Sequence, residues 1–228
     1  MKKYDYALTA SLICSDPLDL RKSIEDIELA GIEYIHFDVM DGVFVPRYGL
    51  FPEMLSAIKK ITNIPVDVHM MVINAEQYVS DFAKAGADIL YVHVENNNHL
   101  HRTIRLIKNN GMKAGIVFNI GTPINVLDYI LDDVDYIMLM GINPGIVGHK
   151  IIPKVYDKIK EVKEKIKDYP NIKIMVDGGV TPDTAPEMIK NGADIIVCGS
   201  SSIYRPGEGT LAETTKRFRE KVDSKLEE

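Results

Sequence analysis

The chain has 228 residues, 46% of them hydrophobic and 26% charged. That is ordinary globular composition, which excludes disordered, collagen-like and disulfide-knot scaffolds. Its 27 basic and 33 acidic side chains leave a net charge of −6, which argues for solubility and against a nucleic-acid or polyanion surface.

Eight short apolar runs recur along the chain. They are 6–13 (YALTASLI), 34–39 (YIHFDV), 66–72 (VDVHMMV), 89–94 (ILYVHV), 114–119 (AGIVFN), 136–140 (YIMLM), 172–177 (IKIMVD) and 195–199 (IIVCG). Each is apolar on both faces, as buried parallel strands are. Amphipathic stretches at 17–30, 74–85, 99–109, 123–131, 153–167, 182–190 and 211–226 predict helices between them. In the first, Leu18, Leu20, Ile24, Ile27 and Leu29 form the apolar set. Ser15-Asp16-Pro17 and Thr181-Pro182 read as a cap followed by an early proline. Gly31, Gly86, Gly111 and Gly192 stand where helix ends need a left-handed residue. The charged stretch 216–228 reads as a solvated helix face.

Eight β–α units in this length average about 28 residues each, which predicts one α/β domain, a single-domain (β/α)8 TIM barrel with eight parallel strands. An open doubly wound sheet would need a glycine-rich nucleotide turn after the first strand, and Ser11-Leu12-Ile13-Cys14-Ser15 supplies none. Two cysteines, Cys14 and Cys198, cannot form a disulfide framework and suit a reducing compartment, so the expected location is cytoplasmic. The opening Met-Lys-Lys-Tyr-Asp-Tyr predicts no signal peptide. No stretch approaches the ~18 apolar residues of a membrane span.

In such a barrel the chemistry sits at the carboxyl ends of the strands. Residues i and i+2 of a strand share a face, so His36, Asp38 and Met40 point one way, and Asp67, His69 and Met71 do likewise. A lone strand histidine is more often a hydrogen-bonded core residue than a ligand. Two histidines with Asp38 and Asp177, all at strand ends, change that balance, because buried carboxylates are costly without a partner. His36, Asp38, His69 and Asp177 form a set suited to one divalent metal ion, with zinc the default and manganese, iron and cobalt as alternatives. Asp67, early in its strand, reads as structural. His93 either supports the site or packs. His99 and His101 read as surface residues, and Asp41-Gly42 as a turn.

Glycines follow three neighbouring strands: Gly145 and Gly148 in the loop 143–148, Gly178 and Gly179, and Gly199 with Ser200. Such loops let backbone N–H groups approach a phosphate.

These segments resemble the ribulose-phosphate 3-epimerases. The resemblance rests on 36–46 (HFDVMDGVFVP), 67–72 (DVHMMV), 139–148 (LMGINPGIVG), 176–180 (VDGGV) and Cys198-Gly199-Ser200, and runs from Ser11 to about Ser202. It implies a TIM barrel with a catalytic divalent metal held by His36, Asp38, His69 and Asp177. It further implies Asp38 and Asp177 as the two acid–base carboxylates. Ser11 and His69 are implied as substrate contacts, and Met40, Met71 and Met140 as methionines lining the site. Gly145, Gly148, Gly178, Gly179, Gly199 and Ser200 would bind the phosphate. The implied reaction inverts C3 of D-ribulose 5-phosphate through an enediolate, with the metal offsetting its charge and one carboxylate on each face.

Two loops depart from the family pattern. A Gly-Phe-Gly-Gly stretch is replaced by Gly145-Ile146-Val147-Gly148 followed by His149, and an Asn after Val-Pro is replaced by Arg47, leading Arg47-Tyr48-Gly49-Leu50-Phe51. Both leave the chemistry intact and leave the sugar open between five carbons and six, the latter as in D-allulose 6-phosphate 3-epimerases. A phosphate-barrel decarboxylase would carry Asp-x-Lys-x-x-Asp, whereas the second strand has no lysine. A non-catalytic sugar-phosphate sensor would not need both aspartates. The expected partner is a sugar phosphate, with no nucleic acid or membrane; a homo-oligomer is left open.

Overall fold

Strand pairing in a computed structural model, which describes residues 5–146 and 148–228, runs once around a closed ring. The strands are β1 (Ala7–Ser11), β2 (Tyr34–Met40), β3 (Val66–Met71), β4 (Ile89–His93), β5 (Lys113–Phe118), β6 (Tyr136–Met140), β7 (Lys173–Asp177) and β8 (Ile195–Cys198). All neighbours are parallel, and β8 returns to pair with β1 through Leu8↔Ile196 and Ala10↔Cys198. The expected TIM barrel is the fold. Residues 1–4 of the opening read for a signal peptide, and Val147 of the loop after β6, lie outside the described residues.

Alternation along the strands divides the core in two. One set, including Ile89, Tyr91, Val117, Met138, Met175 and Ile195, forms its own cluster. The intervening residues, such as Ile35, Phe37, Val68 and Met70, belong to the larger core that also takes in the helices. Phe37 of β2 meets Phe82 edge-on at 6.5 Å between ring centroids. Truncating a ring so buried costs about 3–5 kcal/mol.

The helices are α1 (Leu20–Leu29), α2 (Pro52–Ile58), α3 (Val79–Ala85), α4 (Leu100–Asn109), α5 (Lys154–Lys165), α6 (Ala185–Lys190) and α7 (Leu211–Glu227). Several differ from the sequence expectation. α1 starts late because Asp19, not Ser15 or Asp16, caps it by accepting from the Lys22 N–H. Leu18 therefore stands outside the helix and is 95% exposed. Leu29 is exposed as well, and Ile24 and Ile27 carry the buried face. At Thr181-Pro182 the Thr181 hydroxyl accepts from the N–H groups of Asp183 and Thr184, forming a turn, and α6 begins only at Ala185. The helix expected over 123–131 is two 3-10 segments, Asn125–Tyr129 and Leu131–Asp133. Its Asn and β-branched residues favour other backbone states, and Leu127 is the one residue the two segments bury. Conversely, α2 lies outside the amphipathic stretches read from the sequence. Its signals are Pro52 at the start, Glu53 in the first turn, and Leu55 and Ile58 on one face. Gly31, Gly86, Gly111 and Gly192 do take positive φ. Among the described residues no helix is long and apolar enough to cross a membrane.

Candidate active site

Register brings the polar strand residues together. In the β2–β3 ladder His36 lies opposite Asp67 and Asp38 opposite His69. The result is two cross-strand His–Asp pairs on the same face of the sheet. Asp177 at the end of β7 reaches the same point: its Oδ2 is 4.0 Å from His36 Nε2 and 3.6 Å from His69 Nδ1. Asp38 Oδ1 lies 3.2 Å from His36 Nε2 and 3.5 Å from His69 Nδ1. One atom from each of the four residues falls within 4.8 Å of all the others.

Both histidines are fully buried. Their cluster-facing nitrogens, His36 Nε2 and His69 Nδ1, make no hydrogen bond. Asp38, Asp67 and Asp177 have no Lys or Arg partner among the described residues. Buried nitrogens without partners and converging carboxylates without a cation are both expensive. The spacing matches a shared ion: donor atoms ~2.0 Å from a tetrahedral centre lie ~3.3 Å apart. The residues therefore fit a divalent cation.

The far side of each ring is held. His36 Nδ1 lies 2.5 Å from Asp67 Oδ1, and Thr9 Oγ1 donates to Asp67 Oδ2 at 2.6 Å. His69 Nε2 is 2.9 Å from His93 Nε2. Asp67, expected to be structural, thus acts by holding His36, and His93 supports His69. The sequence places Asp67 on the same strand face as His69, but only the register of β2 against β3 sets it opposite His36. Asp41 is a turn residue, as expected: its carboxylate accepts from the N–H groups of Val43, Phe44 and Ile73 at 2.8 Å each. His99 and His101 are on the surface.

The two candidate acid–base carboxyls are pushed in opposite directions. Burial works against the Asp38 carboxylate, but the His36 and His69 rings overcome it and hold the group well below the usual carboxylate range. Ser11 Oγ also donates to Asp38 Oδ2 at 2.8 Å. Burial pushes the Asp177 carboxyl up, and the adjacent Asp38 charge adds to the rise while the histidines oppose it.

Above the cluster opens a cavity. Ser11, Asp38, Asp177, Met40, Met71 and Met140 line it. So do Gly145, Gly148, Gly178, Gly179, Gly199 and Ser200. His36 and His69 do not reach its surface and lie beneath it. These twelve residues, all expected at the site from the sequence, share one cavity. Cys14, Ile142, Val180 and Ser201 also line it and were not among the expected site residues. Arg47 and His149, the two departures noted there, stand in its wall. Arg47 is carried by a loop that folds back on β2, where Gly49 N–H donates to Met40 O and Leu50 N–H to Asp38 O. A Cβ on Gly49 would come within 2.5 Å of Asp38 O.

A family model described as the ribulose-phosphate 3 epimerase family matches residues 7–204. The chain belongs to that family. It is accordingly an epimerase, an enzyme of the isomerase class. It is 47% identical over 193 residues to a ribulose-phosphate 3-epimerase of Bacillus subtilis (strain 168), covering 84% of this chain and 89% of the relative. It is 40% identical over 203 residues to the ribulose-phosphate 3-epimerase of Escherichia coli (strain K12), covering 88% and 90%. A solved structure of KGPDC from Streptococcus mutans superposes with a TM-score of 0.74 over 96% of this chain and 98% of that one. At 13% identity that likeness concerns the fold alone.

Proposed function

We propose that this family member inverts C3 of a ketose phosphate, with D-ribulose 5-phosphate and D-xylulose 5-phosphate as the interconverted pair. The observation that carries the reading is the convergence of Asp38 and Asp177 on two buried histidine nitrogens that have no other partner. The names of the relatives favour the same substrate.

His36, Asp38, His69 and Asp177 would hold the divalent cation. When bound, it supplies Lewis-acid stabilisation of the negative charge that develops at the substrate oxygens. The protein's own groups do the rest. Removing the C3 proton leaves a planar enediolate, and inversion requires a proton to return from the other face. Asp38 and Asp177 serve as the two proton carriers. The reaction needs one ionised and one protonated at the start, and the two exchange roles when it runs in the other direction. Ser11 steadies the Asp38 oxygen away from the cluster. Met40, Met71 and Met140 give a wall that offers no strong hydrogen bond to the intermediate. The backbone at Gly178, Gly179, Gly199 and Ser200, with Gly145 and Gly148, receives the phosphate.

The deciding assay offers D-ribulose 5-phosphate and D-allulose 6-phosphate side by side and measures metal content on the same sample. Conversion of the pentulose, loss of turnover with a chelator and its return on adding metal are expected. Preferential conversion of the hexulose would move the substrate, and absence of C3 inversion on both would overturn the reading.

A further inference from the structure

His69 is held from outside the cluster by a chain of buried and half-buried groups. Its Nε2 faces His93 Nε2 at 2.9 Å, and the two rings meet edge to edge, with centroids 5.1 Å apart and 23° between their planes. His93 Nδ1 then faces Glu95 Oε2 at 3.0 Å. The other Glu95 oxygen accepts from the Asn119 N–H at 2.7 Å and from Thr122 Oγ1 at 2.5 Å. That loop is pinned in turn by Lys158 of α5, whose Nζ donates to the carbonyls of Asn119, Ile120 and Thr122 at 2.6, 3.1 and 2.6 Å.

The directions of these bonds follow one another. A backbone N–H can only donate, so Glu95 is an acceptor at its loop end, and its second oxygen accepts from His93 Nδ1–H. A neutral imidazole carries one N–H. His93 Nε2 is therefore an acceptor, and the proton between the two rings belongs to His69 Nε2. That leaves His69 Nδ1 with its lone pair, aimed between Asp38 and Asp177. The opposite arrangement would leave lone pair against lone pair at the His69–His93 contact.

We propose that His93 and Glu95 are positioning residues: a relay, anchored on the 119–122 loop, that fixes the orientation and proton arrangement of His69 so that Nδ1 is ready to bind a cation. The inference rests on the reading of the four-residue cluster as a metal site. Its counterpart at His36 is shorter: Asp67, itself accepting from Thr9 Oγ1. The two histidines are thus fixed by different means, one by a neutral ring and one by a carboxylate.

Cobalt(II) titration with a competing chelator tests it, with the visible spectrum of bound cobalt as a readout of geometry. The wild-type chain is compared with His93→Leu, His93→Gln and Glu95→Gln. Removing a hydrogen-bond partner behind a metal-binding histidine typically costs about 10- to 100-fold in affinity. His93→Leu should show that loss and an altered spectrum. His93→Gln, whose amide oxygen can still accept from His69, should recover most of both. In Glu95→Gln one accepting oxygen becomes an NH2 donor, so the amide cannot accept from both the Asn119 N–H and His93 Nδ1–H, and a smaller loss is expected. Wild-type affinity and spectrum in His93→Leu overturn the relay; if that variant does not fold, wild-type behaviour of Glu95→Gln overturns it. A wild-type chain that binds no cobalt defeats the metal reading itself, and the relay with it.

Discussion

His36 and Asp67 meet across β2 and β3 with Nδ1 and Oδ1 2.5 Å apart, both side chains fully buried. Asp67 does not line the cavity, yet it settles which His36 nitrogen faces Asp38 and Asp177. Burial opposes charge on the His36 ring, but the Asp67 and Asp38 carboxylates outweigh it and raise its proton affinity. Asp67→Asn keeps a similar shape and removes the negative charge behind the ring. Metal affinity is expected to fall about 10- to 100-fold, measured by chelator competition, with the circular dichroism of the barrel unchanged. Undiminished affinity would show that His36 does not depend on the charge of its partner.

The opposed roles of Asp38 and Asp177 make a sharper prediction than simple inactivity. Asp38→Asn and Asp177→Asn should each lower epimerisation by about 10²- to 10⁴-fold, the usual worth of a general acid or base. Each variant retains one carboxylate. That carboxylate can still exchange the C3 proton of whichever epimer presents its C–H to it. In deuterated solvent, each variant should therefore label one epimer and not the other, with opposite preferences, read by proton NMR. Labelling of both epimers by either variant would refute a one-base-per-face scheme.

How far the sequence carried this site depended on which features are periodic. The strands were legible because apolar runs such as 66–72 and 172–177 have no helical alternative at that length. His36, Asp38, His69 and Asp177 were legible because strand alternation places i and i+2 on one face. What alternation cannot give is register, so Asp67 looked merely structural until it was seen opposite His36. Short helices were harder. Thr181-Pro182 has the residues of a cap, but the Thr181 hydroxyl closes a turn ahead of α6, which begins only at Ala185. At 123–131 an amphipathic pattern was not enough: Leu127 and Ile130 reach the core, but the Asn and β-branched residues around them disfavour an α-helix, and the chain takes 3-10 turns. Arg47 and His149 stood out only as departures from a family pattern, and their place in the cavity wall depends on how long loops fold back over the barrel.

His93 should also leave a signature in the acid stability of the protein. Burial, partly offset by Glu95, drives its pKa from 6.5 down to about 4. The unfolded chain takes up a proton there near pH 6.5, whereas the folded chain resists until about pH 4. The neutral ring's contribution is therefore complete above the unfolded value. It is lost progressively as pH falls between the two, by about 3 kcal/mol in full. Urea midpoints measured from pH 7.5 downward, with chelator present so that metal release does not enter, should fall more steeply for the wild type than for His93→Gln. Parallel profiles for the two proteins would mean that His93 carries no such penalty.

Gly178 and Gly199 both line the cavity but for different physical reasons. Gly178 has φ +93°, and a Cβ there would lie 2.4 Å from Ile142 Cγ1. The fold itself requires glycine at that turn. Gly199 has no left-handed φ, and its added Cβ would meet only Cys14 Sγ, at 3.4 Å. Nothing in the folded chain forbids alanine at 199, so the reason for glycine must lie in what approaches it. Gly199→Ala should leave the unfolding free energy, read by urea titration, within about 0.5 kcal/mol of wild type, as surface-like substitutions do. The methyl group would stand off a phosphate from the backbone, and a loss of about 1.4 kcal/mol in binding is tenfold in KM. Gly178→Ala should instead destabilise the protein as well as weaken substrate binding. If Gly199→Ala binds the sugar phosphate as tightly as wild type, the phosphate does not rest on the loop after β8.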